Sequence, residues 1–329
     1  MIVTKTPFRV SIFGGGSDMA SFYSRSPGAV LSFSINKYMY ISTHKYFESD
    51  EYRLKYSRTE TVKKISDIQH PILKTALDML DVPAGVELSS IADIPAGTGM
   101  GSSSTFTVGV LHNLLTRKNQ FADKGRLADM ACQIEIEKLK EPIGKQDQYA
   151  ASFGGLNVIK FLPHGEVNVE SLNLSRERFN NLQNHLCLFY TGVSRSASEV
   201  LADQKKNISN ESAKFENLKT MVSFVDQGRA LLLKDNIEDF GKLVHRSWEL
   251  KKSLSDKIAN PDIDEAYSKA MKLGAWGGKL LGAGGGGFLL FVVPPSQRQK
   301  LTDGLGLRPY PFEIEFDGSK VIYYEDEGT

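Results

Sequence analysis

Cysteine is nearly absent: Cys132 and Cys187 are the only two in 329 residues. Two cysteines this far apart neither staple a chain of this length nor form a metal knuckle, which excludes a disulfide-built scaffold and a cysteine zinc site. Histidine is scarce too, and its six occurrences never pair at i, i+4 spacing, so the helical zinc signature is missing. Charge of one sign is not in excess, with 40 Lys plus Arg against 39 Asp plus Glu. A nucleic-acid or anionic membrane partner would call for a basic surplus, so neither is expected. The most apolar stretch, Leu273 to Val293, is broken by glycines and by Lys279 and is no membrane span. The opening residues MIVTKTPFRV run directly into a strand pattern without the apolar core of a signal peptide. The three Asn-x-Ser/Thr tripeptides, at Asn173, Asn207 and Asn210, are therefore read as chance, and the expectation is a reduced, soluble, cytoplasmic protein.

What is present reads as globular. A 41% hydrophobic and 24% charged composition excludes disordered and coiled-coil classes, and the length suits two domains or one large one. Strands are predicted at Ile2–Phe13, 29–35, 38–46, 86–91, 156–161 and 186–190, with three more at 288–293, 312–316 and 321–324. Helical spacing covers 70–80, 102–115, 125–139 and 263–273. A long helical region from about 197 to 257 is expected to break near Gly228 and Asp235-Asn236. The polar stretch 163–178 marks a connection between a first domain, 1–170, and a second, 171–329. Strands and helices mix without a βαβ rhythm, which points to α+β rather than a doubly wound sheet.

Three glycine clusters stand out. Gly282 to Gly287 matches G-x-G-x-x-G, but the residues after it, Phe288 to Val293, read as a strand where a dinucleotide fold needs a helix. A Walker A sequence is absent, since neither Gly144-Lys145 nor Gly278-Lys279 has the right flanks. The better phosphate loop is Pro95-Ala96-Gly97-Thr98-Gly99-Met100-Gly101-Ser102-Ser103-Ser104. Alternating glycines let the backbone approach an anion and adopt positive φ. The helix that follows presents unpaired N–H groups and the positive end of its dipole. A glycine turn followed by a serine cap is the plainer alternative. Downstream, Asp147 sits beside Lys145 in Gly144-Lys145-Gln146-Asp147-Gln148-Tyr149, as a base with a cationic neighbour would, though a lone Asp also serves as a helix cap. Glu135 and Glu137 point to roughly opposite faces of their helix, so only one can face a site.

Together, Pro7-Phe8-Arg9-Val10-Ser11-Ile12-Phe13-Gly14-Gly15-Gly16-Ser17-Asp18, the 95–104 loop and Gly278-Lys279-Leu280-Leu281 through Gly287 resemble, in this order, the three motifs of the GHMP kinase superfamily. Within it, the Gly14–Asp18 segment, Lys145 to Ala151 and Phe189 to Ala197 are most similar to the D-glycero-D-manno-heptose 7-phosphate kinases of GDP-heptose synthesis. Fucokinase-like and other hexose 1-kinases share part of the pattern, and a non-catalytic sugar sensor on the same fold is the rival of another class.

The resemblance implies a two-lobed α+β fold with the active site in the inter-lobe cleft, ATP and Mg2+ as cofactors, and a sugar phosphate as acceptor. Carried over by position, Asp147 falls at the catalytic aspartate and Arg9 at a catalytic cation. Pro95, Gly97, Thr98, Gly99, Met100, Gly101, Ser102, Ser103 and Ser104 form the ATP loop. Ser103 falls at one magnesium ligand and, if one residue is inserted near Pro142, Glu135 falls at the other, with Glu137 as the alternative. Substrate contacts are expected from Asp18, Gly15, Gly16, Ser17, Lys145, Gly284, Gly285 and Arg195, the last as the anchor for the sugar's own phosphate. Tyr38 and Asn36 are candidates for the base pocket.

Overall fold

The computed structural model describes residues 1–193 and 197–325. Its first strand, β1 (Ile2–Phe13), alternates buried and half-buried side chains for four residues and is then buried on both faces. The change follows from its neighbours: helix Ser102–Arg117 covers one side of β1, and helices Ser212–Leu233 and Ile237–Lys252 also pack on the strand. Helix Ser102–Arg117 is itself buried nearly all round, as a helix enclosed by the core must be.

The remaining strands are β2 (Gly28–Lys45), β3 (Tyr52–Lys55), β4 (Thr59–Val62), β5 (Val86–Ala92), β6 (Leu156–Phe161), β7 (Val167–Ser171), β8 (Leu186–Tyr190), β9 (Gly277–Leu280), β10 (Phe288–Val292), β11 (Arg308–Pro309), β12 (Ile314–Glu315) and β13 (Lys320–Tyr324). Among the described residues they form two sheets. The larger runs β13-β1-β2-β5-β3-β4, with β12 and β6 also on β2 and β7 on β6; the smaller runs β11-β8-β10-β9. All pairings are antiparallel except β3 with β5. The architecture is α+β, as the lack of βαβ rhythm implied.

Several sequence expectations change. The runs 29–35 and 38–46 are one bent strand, β2, whose register against β1 shifts between Pro7 and Phe8. Hairpin β3–β4 was not anticipated. The polar stretch 163–178 contains β7 and the start of helix Arg176–His185. Gly228 does not break its helix, Ser212–Leu233; a Cβ there would lie 2.4 Å from the ring of fully buried Phe13, so the glycine makes room for the ring. The expected break at Asp235-Asn236 is present, between Lys234 and Asn236, and a break not expected falls at Glu211. Among the described residues no helix is long and apolar enough to cross a membrane.

Candidate active site

Arg9 and Ser11, two residues apart on β1 and therefore on one face of it, line a cavity of about 690 Å3. Arg9 is 4% exposed. Its Nε and Nη2 donate to Asp147 Oδ1 and Oδ2, each at 2.7 Å, and its Nη1 donates to the Gly99 carbonyl at 2.7 Å. The fork-to-carboxylate geometry is bidentate and fixes both side chains. Asp147 stands in the first turn of helix Gln146–Phe153, with its side chain 24% exposed.

The 95–104 loop lies against this pair. Gly97, Gly99 and Gly101 take φ of +75°, +78° and +76°, which favours glycine at each. The Thr98 hydroxyl donates to the Pro95 carbonyl at 2.9 Å and closes the turn. Gly101 is the N-cap of helix Ser102–Arg117, so the unpaired N–H groups of that helix open beside the loop. Gly97, Gly99, Gly101 and Ser102 to Ser104 line the cavity with Pro95, whereas Thr98 and fully buried Met100 face away and hold the loop's shape.

Glu135 has no exposed surface. Ser103 Oγ donates to its Oε1 at 2.6 Å and Gln148 Nε2 to its Oε2 at 2.7 Å. Burial pushes the Glu135 carboxyl up, the three side-chain hydrogen bonds from Ser103, Ser104 and Gln148 oppose the shift, and Asp147 adds to it. The segment Gln133–Lys138 is a π-helix, a wider turn that sets Glu135 inward and leaves Glu137 exposed. The structure therefore brings Glu135, not Glu137, to Ser103. A hydroxyl and a carboxylate are hard oxygen donors suited to magnesium, which takes the rest of its octahedron from phosphates and water. Among the described residues no three acidic, histidine or cysteine side chains converge, so protein ligands alone would not enclose the ion.

Asp18 is 3% exposed and lines the same cavity. Its carboxylate accepts from Gly16 N at 2.9 Å and from both the backbone N (3.2 Å) and Nε2 (3.1 Å) of Gln146. It thereby ties the glycine segment to the helix that carries Asp147. Burial first, and the charge of Asp147 second, hold its carboxyl above the usual range. Around Gly15 and Gly16 three buried polar atoms have no hydrogen-bond partner: Ser11 Oγ, Gln146 Oε1 and Gln204 Nε2. A Cβ on Gly15 would lie 3.6 Å from Ser11 Oγ, and one on Gly16 would lie 2.5 Å from Gln204 Nε2, so the glycines hollow out a polar recess. Buried polar atoms of this kind, on a cavity wall, call for a partner from whatever fills the cavity.

Other expected contacts fall elsewhere. Ser17 is fully buried and exchanges hydrogen bonds with Ala29. Lys145 turns away from the cavity to donate to the Gly165 carbonyl at 2.7 Å. Gly284 and Gly285 pack on Ile258, while Gly282 and Ala283 line the cavity. Tyr38 bonds to Glu315 and Asn36 to Glu313 N, both outside the cavity. The apolar end is formed instead by Tyr56, His70 and Phe106, with the Tyr56–His70 ring centroids 4.6 Å apart. Arg195 lies outside the described residues.

Sequence reasoning missed Gln204, Lys251 and Lys279 as lining residues. Lys251 carried a signal: with Val244, Ser247 and Trp248 it falls at i, i+3, i+4, i+7 on the buried stripe of helix Ile237–Lys252. A lysine there is anomalous. Burial, and then the charge of Arg9, push the Lys251 ammonium down to about 7; burial, Lys251 and Arg9 hold Lys279 well below the ordinary lysine range.

Two family descriptions match this chain: "GHMP kinases N terminal domain" over residues 63–155 and "GHMP kinases C terminal" over 229–310. The chain belongs to the GHMP kinases. This GHMP kinase is 28% identical to the D-glycero-alpha-D-manno-heptose 7-phosphate kinase of Campylobacter jejuni, over 92% of this chain and 93% of that one. It is 26% identical to the galactokinase of Pyrococcus furiosus, over 100% of this chain and 99% of the relative. Among solved structures, a D-glycero-D-manno-heptose 1-phosphate kinase from Bacteroides thetaiotaomicron superposes with a TM-score of 0.81 at 24% identity, covering 99% of this chain and 100% of that one, a likeness of fold.

Proposed function

We propose that this GHMP kinase transfers the γ-phosphoryl group of ATP to the anomeric hydroxyl of D-glycero-D-manno-heptose 7-phosphate, giving the 1,7-bisphosphate and ADP. The observation that carries the reading is the Arg9–Asp147 pair, which shares one cavity with a glycine phosphate loop and with the unpartnered atoms Ser11 Oγ, Gln146 Oε1 and Gln204 Nε2. Those orphans, with Asp18, suit a polyhydroxylated acceptor. The heptose itself rests on the likeness to the Campylobacter kinase.

In the reaction the anomeric oxygen bonds to the γ-phosphorus as the bridging bond to ADP breaks, and the hydroxyl proton passes to Asp147. Each carboxylate oxygen has a second lone pair, so Asp147 accepts that proton while Arg9 orients it. Phosphoryl transfer passes through a loose transition state, so positioning and charge neutralisation carry most of the acceleration. Ser103 and Glu135 would hold magnesium, which when bound neutralises charge on the β- and γ-phosphates. The Tyr56–His70–Phe106 pocket takes the base. The chain is assigned two lobes, 1–170 and 171–329, that work together on the substrates.

The test is a coupled ADP-release assay with magnesium and ATP across heptose 7-phosphate, mannose, fucose and galactose, with 31P NMR to locate the new phosphate. Preference for heptose 7-phosphate at its anomeric position is expected. Preference for an unphosphorylated hexose would move the substrate, and no turnover of any sugar would point to a sensor.

A further inference from the structure

We infer that Lys251 and Lys279 join Arg9 in seating the phosphoryl group as it passes between donor and acceptor. This goes one step past the ATP-dependent reading above and rests on it.

The two lysines reach the cavity from different elements, helix Ile237–Lys252 and β9, and both are nearly without exposed surface at 5% and 3%. Lys279 Nζ donates to the Ile12 carbonyl at 2.6 Å. Lys251 Nζ donates to the Gly282 carbonyl at 2.5 Å and to that of Leu280 at 3.4 Å. An ammonium has three donors, so both keep N–H groups for a ligand. Among the described residues neither has a carboxylate within 4.0 Å, and the nearby Asp147 is already taken up by Arg9. Three cations thus gather where one carboxylate answers them, an arrangement that disfavours itself until an anion arrives. Holding loop carbonyls does not explain the charge, since a neutral donor would do so without the desolvation penalty.

Position selects the anion. Gly282, which Lys251 holds, touches the phosphate loop: a Cβ added to Gly282 would lie 2.3 Å from the Gly99 Cα. Gly99 is the residue whose carbonyl Arg9 also binds. The lysines therefore flank the point where the loop, Arg9 and Asp147 meet. Their ligand chemistry is a phosphate dianion, supplied either by the γ-phosphate of the donor or by the acceptor's own phosphate, and this placement favours the former.

Burial and the charge of Arg9 push the Lys251 ammonium down to about 7; Lys279 lies beside it, and Asp147, Asp18 and Glu141 are the carboxylates that line the same cavity. An arriving γ-phosphate favours its protonated form, so binding takes up a proton. Calorimetry of the wild-type protein with magnesium at pH 8, in buffers of different ionisation enthalpy, should show uptake approaching one proton for AMP-PNP and clearly less for ADP. Equal uptake for both nucleotides, or none, overturns the inference. Lys251→Met should abolish the difference and lower kcat/KM for ATP about 100-fold or more, with the KM for sugar nearly unchanged and partial recovery in Lys251→Arg. A rise confined to the KM for the phosphorylated sugar would overturn it in favour of the acceptor's phosphate. Differential uptake without turnover of any sugar would retain this inference and remove the acceptor reading. Failure of AMP-PNP to bind would remove both.

Discussion

Arg9 and Asp147 meet fork to fork at 2.7 Å on each arm, joining the first strand to a helix 138 residues later. The pair is a structural tie and, in the proposed reaction, the centre of the chemistry. Asp147→Asn keeps the shape and one acceptor oxygen but removes the proton acceptor. Its kcat should fall about 10²- to 10⁴-fold with the melting temperature within a few degrees of wild type, measured by ADP release and calorimetry. Near-normal turnover in a folded Asp147→Asn protein would rule out the base role.

Ser103 and Glu135 should act as a unit toward magnesium. Ser103→Ala and Glu135→Gln are each expected to raise the magnesium concentration for half-maximal activity, with the double variant little worse than the worse single one, because removing either breaks the same site. A magnesium titration of the three proteins at saturating ATP checks this; additive effects would separate the two residues.

Gln204 sits with its Nε2 unpartnered beside Gly16, so its role should be confined to the acceptor. Gln204→Leu is expected to raise the KM for sugar roughly 10-fold or more and leave that for ATP unchanged. An equal rise for both substrates would remove Gln204 from the acceptor recess.

The buried lysine predicts a pH dependence of stability. Lys251 is lowered to about 7 in the folded protein, against an ordinary value of 10.5 in the unfolded chain. Between those values the unfolded chain binds more protons, so stability rises with pH from about 7 toward 10.5; the destabilisation by the buried ammonium is complete at and below about pH 7 and gone above 10.5. Melting temperatures of wild type minus Lys251→Met should accordingly increase across that window. A flat difference would mean the ammonium is not desolvated.

Local signals announced much of this molecule. β1 and β6 follow alternation and β-branched composition, β8 follows a short continuous apolar run, and the 95–104 loop follows glycine spacing that only positive φ explains. Arg9, Asp18, Ser103 and Asp147 lie in motifs, and Glu135 follows from the family resemblance, so the sequence points to them before any fold is known; the structure brings them together. Lys251 and Gln204 lie in ordinary helix text and Lys279 in a motif read only for its glycines, and only long-range packing reveals that they share a cavity. Lys145 misled for the opposite reason: it neighbours Asp147 in sequence, yet the helix turn sends its ammonium toward Gly165. Gly228 looked like a helix break because its use is steric and the partner, Phe13, is far away in the chain. Gly228→Ala should therefore destabilise by about 1–3 kcal/mol in urea unfolding, even though alanine is the better helix former; no loss would mean that Phe13 has room to move.

The closing strands bear on how the molecule comes into being. β12 and β13 pair with β2 and β1, and Glu325 N donates to the Met1 carbonyl at 2.8 Å. During synthesis β1 is made before β13, and its outer edge has no β13 to pair with until that late strand has emerged. The large sheet is thus completed by late strands laid on early ones, and its exposed border in the meantime is where a nascent chain would be open to chaperones or to its neighbours.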